Sequence, residues 1–216
     1  MEPLELQFIQ QGLKTALYAH LERHPLTKGF VNFTRQDINQ ELALEGSRTG
    51  EWATLDMKEA SDRVSLSLVK TLFHGTPLLE ALLAVRSEFA HFPDNAGEHS
   101  GKVVELMKYA PMGSAVCFPV EAVVFWALSK AIIAFELGQI NVPCKVPVYV
   151  YGDDVILPST YAELLIRELP KYGLKVNADK SYTSGPFRES CGFDCFAGEV
   201  VTPIKIRKLW PCKRNA

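Results

Sequence analysis

Tyr151-Gly152-Asp153-Asp154 sits between two apolar runs, Lys145-Val146-Pro147-Val148-Tyr149-Val150 before it and Val155-Ile156-Leu157-Pro158 after it. Both flanks are rich in β-branched and aromatic residues, which suit a pleated, half-buried surface, so they predict two short strands. Gly152 and the aspartates between them predict a tight hairpin turn. Two adjacent carboxylates then stand at an exposed tip between hydrophobic strands. Like charges so close repel, which lowers stability unless a cation sits between them. A plain Gly-Asp turn accounts for the same four residues, so the tetrad alone leaves a metal site and an ordinary turn both open.

The chain has 216 residues, 47% hydrophobic and 22% charged, enough for one domain with a sizeable core or one large piece of a bigger protein. A net charge of −2 gives no global basic signature, so a nucleic-acid partner would be held by local patches. Cys117, Cys144, Cys191, Cys195 and Cys212 are scattered. They lack the close pairs of a structural zinc site and read as free thiols in a reducing compartment. Met1-Glu2-Pro3-Leu4-Glu5 is acidic where a signal peptide needs a basic start. The most apolar stretch, 115–135, is interrupted by Pro119, Glu121, Ser129 and Lys130. It predicts a buried core helix rather than a membrane span.

Leu6, Ile9, Leu13, Leu17 and Leu21 recur at helical spacing over 4–21, whereas 27–50 is polar and irregular. Residues 51–56 predict a short strand ending in Asp56. Helices are predicted over 65–73 and 77–89, and a loop or hairpin over the turn-rich 91–101. Pro111-Met112-Gly113-Ser114 predicts a loop feeding a long apolar helix from near Phe118. An amphipathic helix over 161–172 stops at Gly173, and 174–177 is strand-like. From Gly185 the pattern is turns and short strands. Strands and helices mix without strict alternation, with no repeat and no linker, which predicts an α+β fold in one domain.

Asp56 ends one predicted strand, and Asp62 follows it across Met57-Lys58-Glu59-Ala60-Ser61. If that strand neighbours the hairpin, Asp56 and Asp153 can share cations. Hard carboxylate oxygens, completed by water and phosphate, suit magnesium or manganese. Two such ions can activate a ribose hydroxyl and stabilise a leaving pyrophosphate. Taken alone, Asp56 is equally a turn or helix-capping acid.

Read together, these phrases resemble the palm of a viral RNA-dependent RNA polymerase, closest to the replicase subunit of the single-stranded RNA phages, the leviviruses. The stretch from Asp56 to Asp62-Arg63 resembles motif A. Met112-Gly113-Ser114 through Glu121 and Phe125-Trp126 resembles motif B, and Tyr151-Gly152-Asp153-Asp154 resembles motif C. Asn177-Ala178-Asp179-Lys180-Ser181 resembles motif D. Gly185-Pro186-Phe187-Arg188-Glu189-Ser190-Cys191-Gly192, then Val201-Thr202-Pro203, is similar to a phage-replicase signature.

The resemblance implies a palm, an antiparallel sheet with packed helices, spanning 1–216, with parts of the fingers in 1–50 and roughly 64–110. It implies RNA-templated RNA synthesis with two Mg2+ or Mn2+ ions. Asp56 and Asp153 would be the principal metal ligands and Asp154 a secondary one. Asp62 would sense the ribose 2′-hydroxyl. Gly113 and Ser114 would form a flexible loop against the template and nascent pair, and Glu121 would stand where related polymerases read the ribose. Lys180, protonated at neutral pH, would give charge and a proton to the pyrophosphate, although a solvated surface lysine looks the same in sequence. Arg188 would contact RNA, or else form a buried ion pair with Glu189 that fixes a turn.

Lys205, Arg207, Lys208, Lys213 and Arg214 form a basic tail suited to phosphates or simply to solvent. Trp52, Trp126 and Trp210 read as core or interface anchors. The implied partners are RNA template and product, nucleoside triphosphates, host elongation factors and a ribosomal protein. The implied setting is a bacterial host cytoplasm, away from membrane. These polymerases carry a basic finger motif ahead of the palm, and residues 1–8 contain no lysine or arginine. A piece incomplete at both ends is therefore expected. The competing readings are a reverse transcriptase, which usually has a bulky aromatic near the position of Asp62, and a palm remnant that binds RNA without catalysis.

Overall fold

The computed structural model describes residues 2–95, 97–139 and 141–204. The basic tail from Lys205 to Arg214, with Trp210 and Cys212, lies outside the described residues. The elements run α1 (Leu4–Leu21), α2 (Gln36–Thr49), β1 (Trp52–Asp56), α3 (Ala60–Arg63), α4 (Leu66–Leu72), α5 (Pro77–Ala84), β2 (Phe89–His91) and β3 (Val103–Glu105). They continue α6 (Cys117–Glu136), β4 (Tyr149–Tyr151), β5 (Asp154–Pro158), α7 (Ala162–Glu168), β6 (Phe187–Ser190), β7 (Phe193–Phe196) and β8 (Glu199–Val200).

The fold is α+β, as its pattern predicts. Its centre is an antiparallel sheet in the order β1-β5-β4. In β5, Val155, Ile156 and Leu157 are all buried, so both faces are covered. Val155 and Leu157 join the main core with Val120, Val124 and Leu128 of α6 and Leu165 of α7. Ile156 points the other way, onto Ala43 of α2 and Cys195 of β7. The period-2 alternation of a strand thus sorts one apolar run between two layers. Full burial of each such side chain contributes roughly 1.5–3 kcal/mol.

Helix α6 is long and apolar enough by length and composition to cross a bilayer. Its Val120, Ala122, Val124, Phe125, Leu128, Ile132 and Ile133 nonetheless lie in the core, as the interrupting polar residues suggest. Helix α1 departs from expectation at its first half: Phe8 and Ile9 are exposed, and of the five periodic residues Leu13, Leu17 and Leu21 pack against the core. The helix predicted over 77–89 ends at Ala84, and Phe89 enters β2. The strand predicted at 174–177 is one bridge, Met57 to Val176, rather than a ladder. With the bridge from Thr54 to Tyr182, it covers the outer edge of β1.

Residues 36–49, expected to be irregular, form α2. This helix lies close to β1 because Gly46 leaves room: a Cβ there would sit 2.7 Å from the Trp52 carbonyl oxygen. Gly46→Ala is therefore expected to lower stability by about 1–2 kcal/mol, despite the helix-propensity gain of up to about 1 kcal/mol. Gly12→Ala, in α1 with nothing within 4 Å, should raise it. Thermal unfolding of both variants checks the pair, and a Gly46→Ala protein melting at or above wild type would refute the close-approach account.

Candidate active site

The register of the central sheet places Asp56 of β1 directly opposite Asp154 of β5. Directly opposed residues share a face, so two carboxylates separated by almost a hundred residues meet at one sheet end. Tyr151 pairs with Asp154, leaving Gly152 and Asp153 as a two-residue turn. Gly152 alone of the two has positive φ, 61°, as a type II′ turn requires. The Asp153 carbonyl accepts the Met57 N–H at 3.1 Å, tying the tip to β1. The Asp56 backbone N–H donates to Ser181 Oγ at 3.0 Å, and Asn177 Nδ2 donates to Asp56 Oδ2 at 2.8 Å. The edge segment along β1 thus aims the Asp56 carboxylate.

Asp56 and Asp154 line a cleft of about 450 Å3 with Lys180, Glu189 and Asp194. The β6–β7 hairpin closes it. Its turn, Cys191-Gly192, has positive φ at both residues, and the Cys191 N–H donates to Asp154 Oδ2 at 3.0 Å. Burial, then the charge of Asp153, raises the Asp154 pKa to about 7 against the opposing pull of that N–H. Asp153 is raised too, mainly by burial and further by Asp56, while its own backbone N–H and Lys180 oppose the shift. Lys180 is exposed at the rim.

A second cleft, about 280 Å3, is lined by Asp153, Asp62, Glu121, Ser61 and Met112. Glu121 is 7% exposed on α6. Burial, then the Asp153 charge, pushes its pKa up to about 8, and the Cys117 thiol, one turn earlier, donates to it at 3.8 Å. Asp62 is half-exposed and paired with the Lys108 ammonium.

Two expectations need correction. Ser114, expected against the template, is 7% exposed, and its hydroxyl donates to Gln10 Oε1 at 3.2 Å. Gln10 is fully buried, accepts the Ala115 N–H as well, and donates to the Val85 carbonyl at 2.8 Å. The loop is therefore pinned from α1, and of the pair only Gly113 is exposed. Arg188 is fully buried, and its partners among the described residues are backbone carbonyls rather than the Glu189 carboxylate. It donates to the carbonyls of Trp52 at 2.6 Å, Gly185 at 2.8 Å and Phe187 at 2.6 Å, fixing the β6–β7 hairpin to β1. Backbone oxygens, which carry no sequence signature, offset part of its desolvation, and burial still lowers its pKa.

Sequence reasoning also missed Lys108, Gln10 and the Cys191 N–H as groups acting at the site. Asn177 and Ser181 lie within the stretch that resembles motif D, a resemblance that gives neither of them a role. Trp52 and Trp126 are anchors as expected, packed against the two cores. Cys117, Cys144, Cys191 and Cys195 are free thiols.

Among the described residues no group of three His, Cys, Asp or Glu side chains closes on a metal by itself. Asp56, Asp153 and Asp154 are hard oxygen donors, and the last two are destabilised as anions chiefly by burial, with the charge of Asp56 adding to it at Asp153 and that of Asp153 at Asp154. That combination fits a hard cation that keeps water and substrate oxygens in its shell rather than an all-protein cage.

The family model for the RNA replicase beta-chain matches residues 1–214. The RNA-directed RNA polymerase subunit beta of Escherichia virus Qbeta is 38% identical over 208 residues, covering 96% of this chain and 32% of that protein. The RNA-directed RNA polymerase beta chain of Enterobacteria phage fr is 34% identical over 207 residues, covering 96% and 34%. The chain thus spans about a third of the length of these curated relatives. Among solved structures, a telomerase from Candida albicans superposes with a TM-score of 0.58 at 15% identity, over 92% of this chain and 38% of that one. That likeness is one of fold, a polymerase-like arrangement of antiparallel sheet and packed helices.

Proposed function

The chain belongs to the RNA replicase beta-chain family, and on that premise we propose that it carries the nucleotidyl-transfer centre of an RNA-directed RNA polymerase. The observation that carries this reading is the register of Asp56 against Asp154, with Asp153 on the adjoining turn. These three would hold Mg2+ or Mn2+, two ions by family resemblance. Bound there, such ions supply charge neutralisation at the α-phosphate and a more acidic 3′-hydroxyl.

The chain's own groups do the rest. Asn177 and the Cys191 N–H orient Asp56 and Asp154. Lys180 brings a proton on Nζ to the leaving pyrophosphate. Asp62 accepts a hydrogen bond from the 2′-hydroxyl, and Glu121, whose buried carboxyl holds its proton near neutrality, can donate one to the sugar. The partners would be RNA template, nascent RNA and nucleoside triphosphates. Residues 1–50 and roughly 64–110 would be finger parts around the palm. The relatives come from phages, which supports a bacterial host cytoplasm as the setting. Host elongation factors and a ribosomal protein are proposed on family resemblance alone.

The test is primer extension on an RNA template. Incorporation dictated by the template, abolished by EDTA and restored by Mg2+ or Mn2+, is the expected result. Template-independent or EDTA-resistant incorporation would reject the reading.

A further inference from the structure

Lys108 occupies a place that no motif assigns. Its backbone is laced to the end of α3, the short helix carrying Asp62. The Leu66 N–H donates to the Met107 carbonyl at 2.8 Å, and the Tyr109 N–H to the Val64 carbonyl at 2.8 Å. From the other side Arg86, 8% exposed, donates to the carbonyls of Leu106 at 2.8 Å, Tyr109 at 3.1 Å and Lys108 at 3.3 Å. So anchored, the Lys108 ammonium donates to Asp62 Oδ1. Among the described residues no donor reaches Asp62 Oδ2.

An ion pair whose acid is half-exposed adds little to stability, so a buried arginine spent on holding its lysine calls for another explanation. The cleft supplies one. Asp62 lines it with Glu121 and Asp153. A free carboxylate there would rotate and would repel a triphosphate. We propose that Lys108 is a positioning residue for sugar selection, holding one oxygen of Asp62 so that the other meets the 2′-hydroxyl of the incoming nucleoside triphosphate. This rests on the polymerase reading. A site built to hydrogen-bond a hydroxyl rejects the analogue lacking it far more strongly than one that merely has room for it.

The experiment compares kcat/KM for ATP and 2′-deoxyATP in template-directed extension by the full chain, as wild type, K108M and K108R. K108M is expected to lose about tenfold or more of the ribonucleotide preference, with the loss in KM for ATP rather than in kcat. K108R keeps the preference, because it restores the charged donor. Calorimetric titration with α,β-methylene-ATP and its 2′-deoxy counterpart, which cannot transfer, should show the same collapse in the affinity ratio. K108M should melt within about 3 °C of wild type, and K108Q serves as a second neutral variant if it does not. Wild-type ratios in both neutral variants overturn the proposal and leave the polymerase reading standing. A wild-type chain that extends nothing on template overturns both.

Discussion

Asp153→Asn is expected to cut templated incorporation by about a thousandfold or more, while raising the melting temperature of the metal-free protein. The two effects share one cause. Asp153 is partly buried beside Asp56, Asp154 and Glu121, and Lys180 is the lysine that acts on it. Asparagine keeps the shape of the turn and removes the charge, so the repulsion that disfavours the folded state falls. The same deletion removes a ligand for the cation that would offset that repulsion. Addition of Mn2+ should therefore raise the melting temperature of wild type and leave the variant nearly unmoved, since only a ligand that binds the folded state stabilises it. Glu168→Ala is the control: Glu168, at the end of α7, pairs with Arg167 at 2.9 Å and Lys171 at 2.5 Å and lines neither acidic cleft. Equal extension by wild type and Asp153→Asn would remove the metal assignment, and a variant less stable than wild type without metal would remove the electrostatic account.

The hairpin and its partner strand were legible because their chemistry is local. β-branched runs, a Gly-Asp turn and an acid at a strand end are read within a few residues, and one register then fixes the pairing of Asp56 with Asp154. Helix α2 was not legible. It packs through small residues, Ala43 and Gly46, rather than a stripe of large apolar ones, and Arg35 at its start makes no side-chain cap. Close approach to a backbone carbonyl replaces the periodic signal that hydrophobic patterning detects. A buried, turn-fixing Arg188 was legible as one of two readings, but its partners were not, because they are carbonyl oxygens of any sequence. Lys108, Gln10 and Asn177 act across 46, 104 and 121 residues respectively. Such separations are set by the fold, and a side chain chosen for a distant partner looks like any surface residue in its own window.

Gly152→Ala is expected to destabilise the protein by about 2–4 kcal/mol, lowering the melting temperature by about 5–15 °C, and to reduce extension at least a hundredfold. Two separate demands fall on this position. Its φ of 61° is a conformation that residues with a Cβ adopt at a cost of roughly 1–2 kcal/mol. In addition, a Cβ would lie 2.1 Å from Phe118 Cε2 and 2.7 Å from Cζ, far inside contact. The Phe118 ring has little room to retreat, since it stands edge-on to Phe33 at 6.0 Å and to Tyr151 at 5.4 Å. Relief must come from the turn or from the first turn of α6, and either displaces a carboxylate, Asp153 in one case and Glu121 in the other. The steric part is separable by a double-mutant cycle. Phe118→Leu alone should destabilise through lost packing. Combined with Gly152→Ala it should give much less than the sum, because the shortened side chain vacates the space the new methyl enters. Gly152→Asn sharpens the division: asparagine tolerates the left-handed region, so a loss equal to that of alanine or larger points to the ring, whereas near-wild-type stability would show that φ alone demands glycine. Simple additivity in the Phe118 cycle would mean that the ring does not confine the turn, and the coupling between the aspartate hairpin and α6 would have to be sought elsewhere.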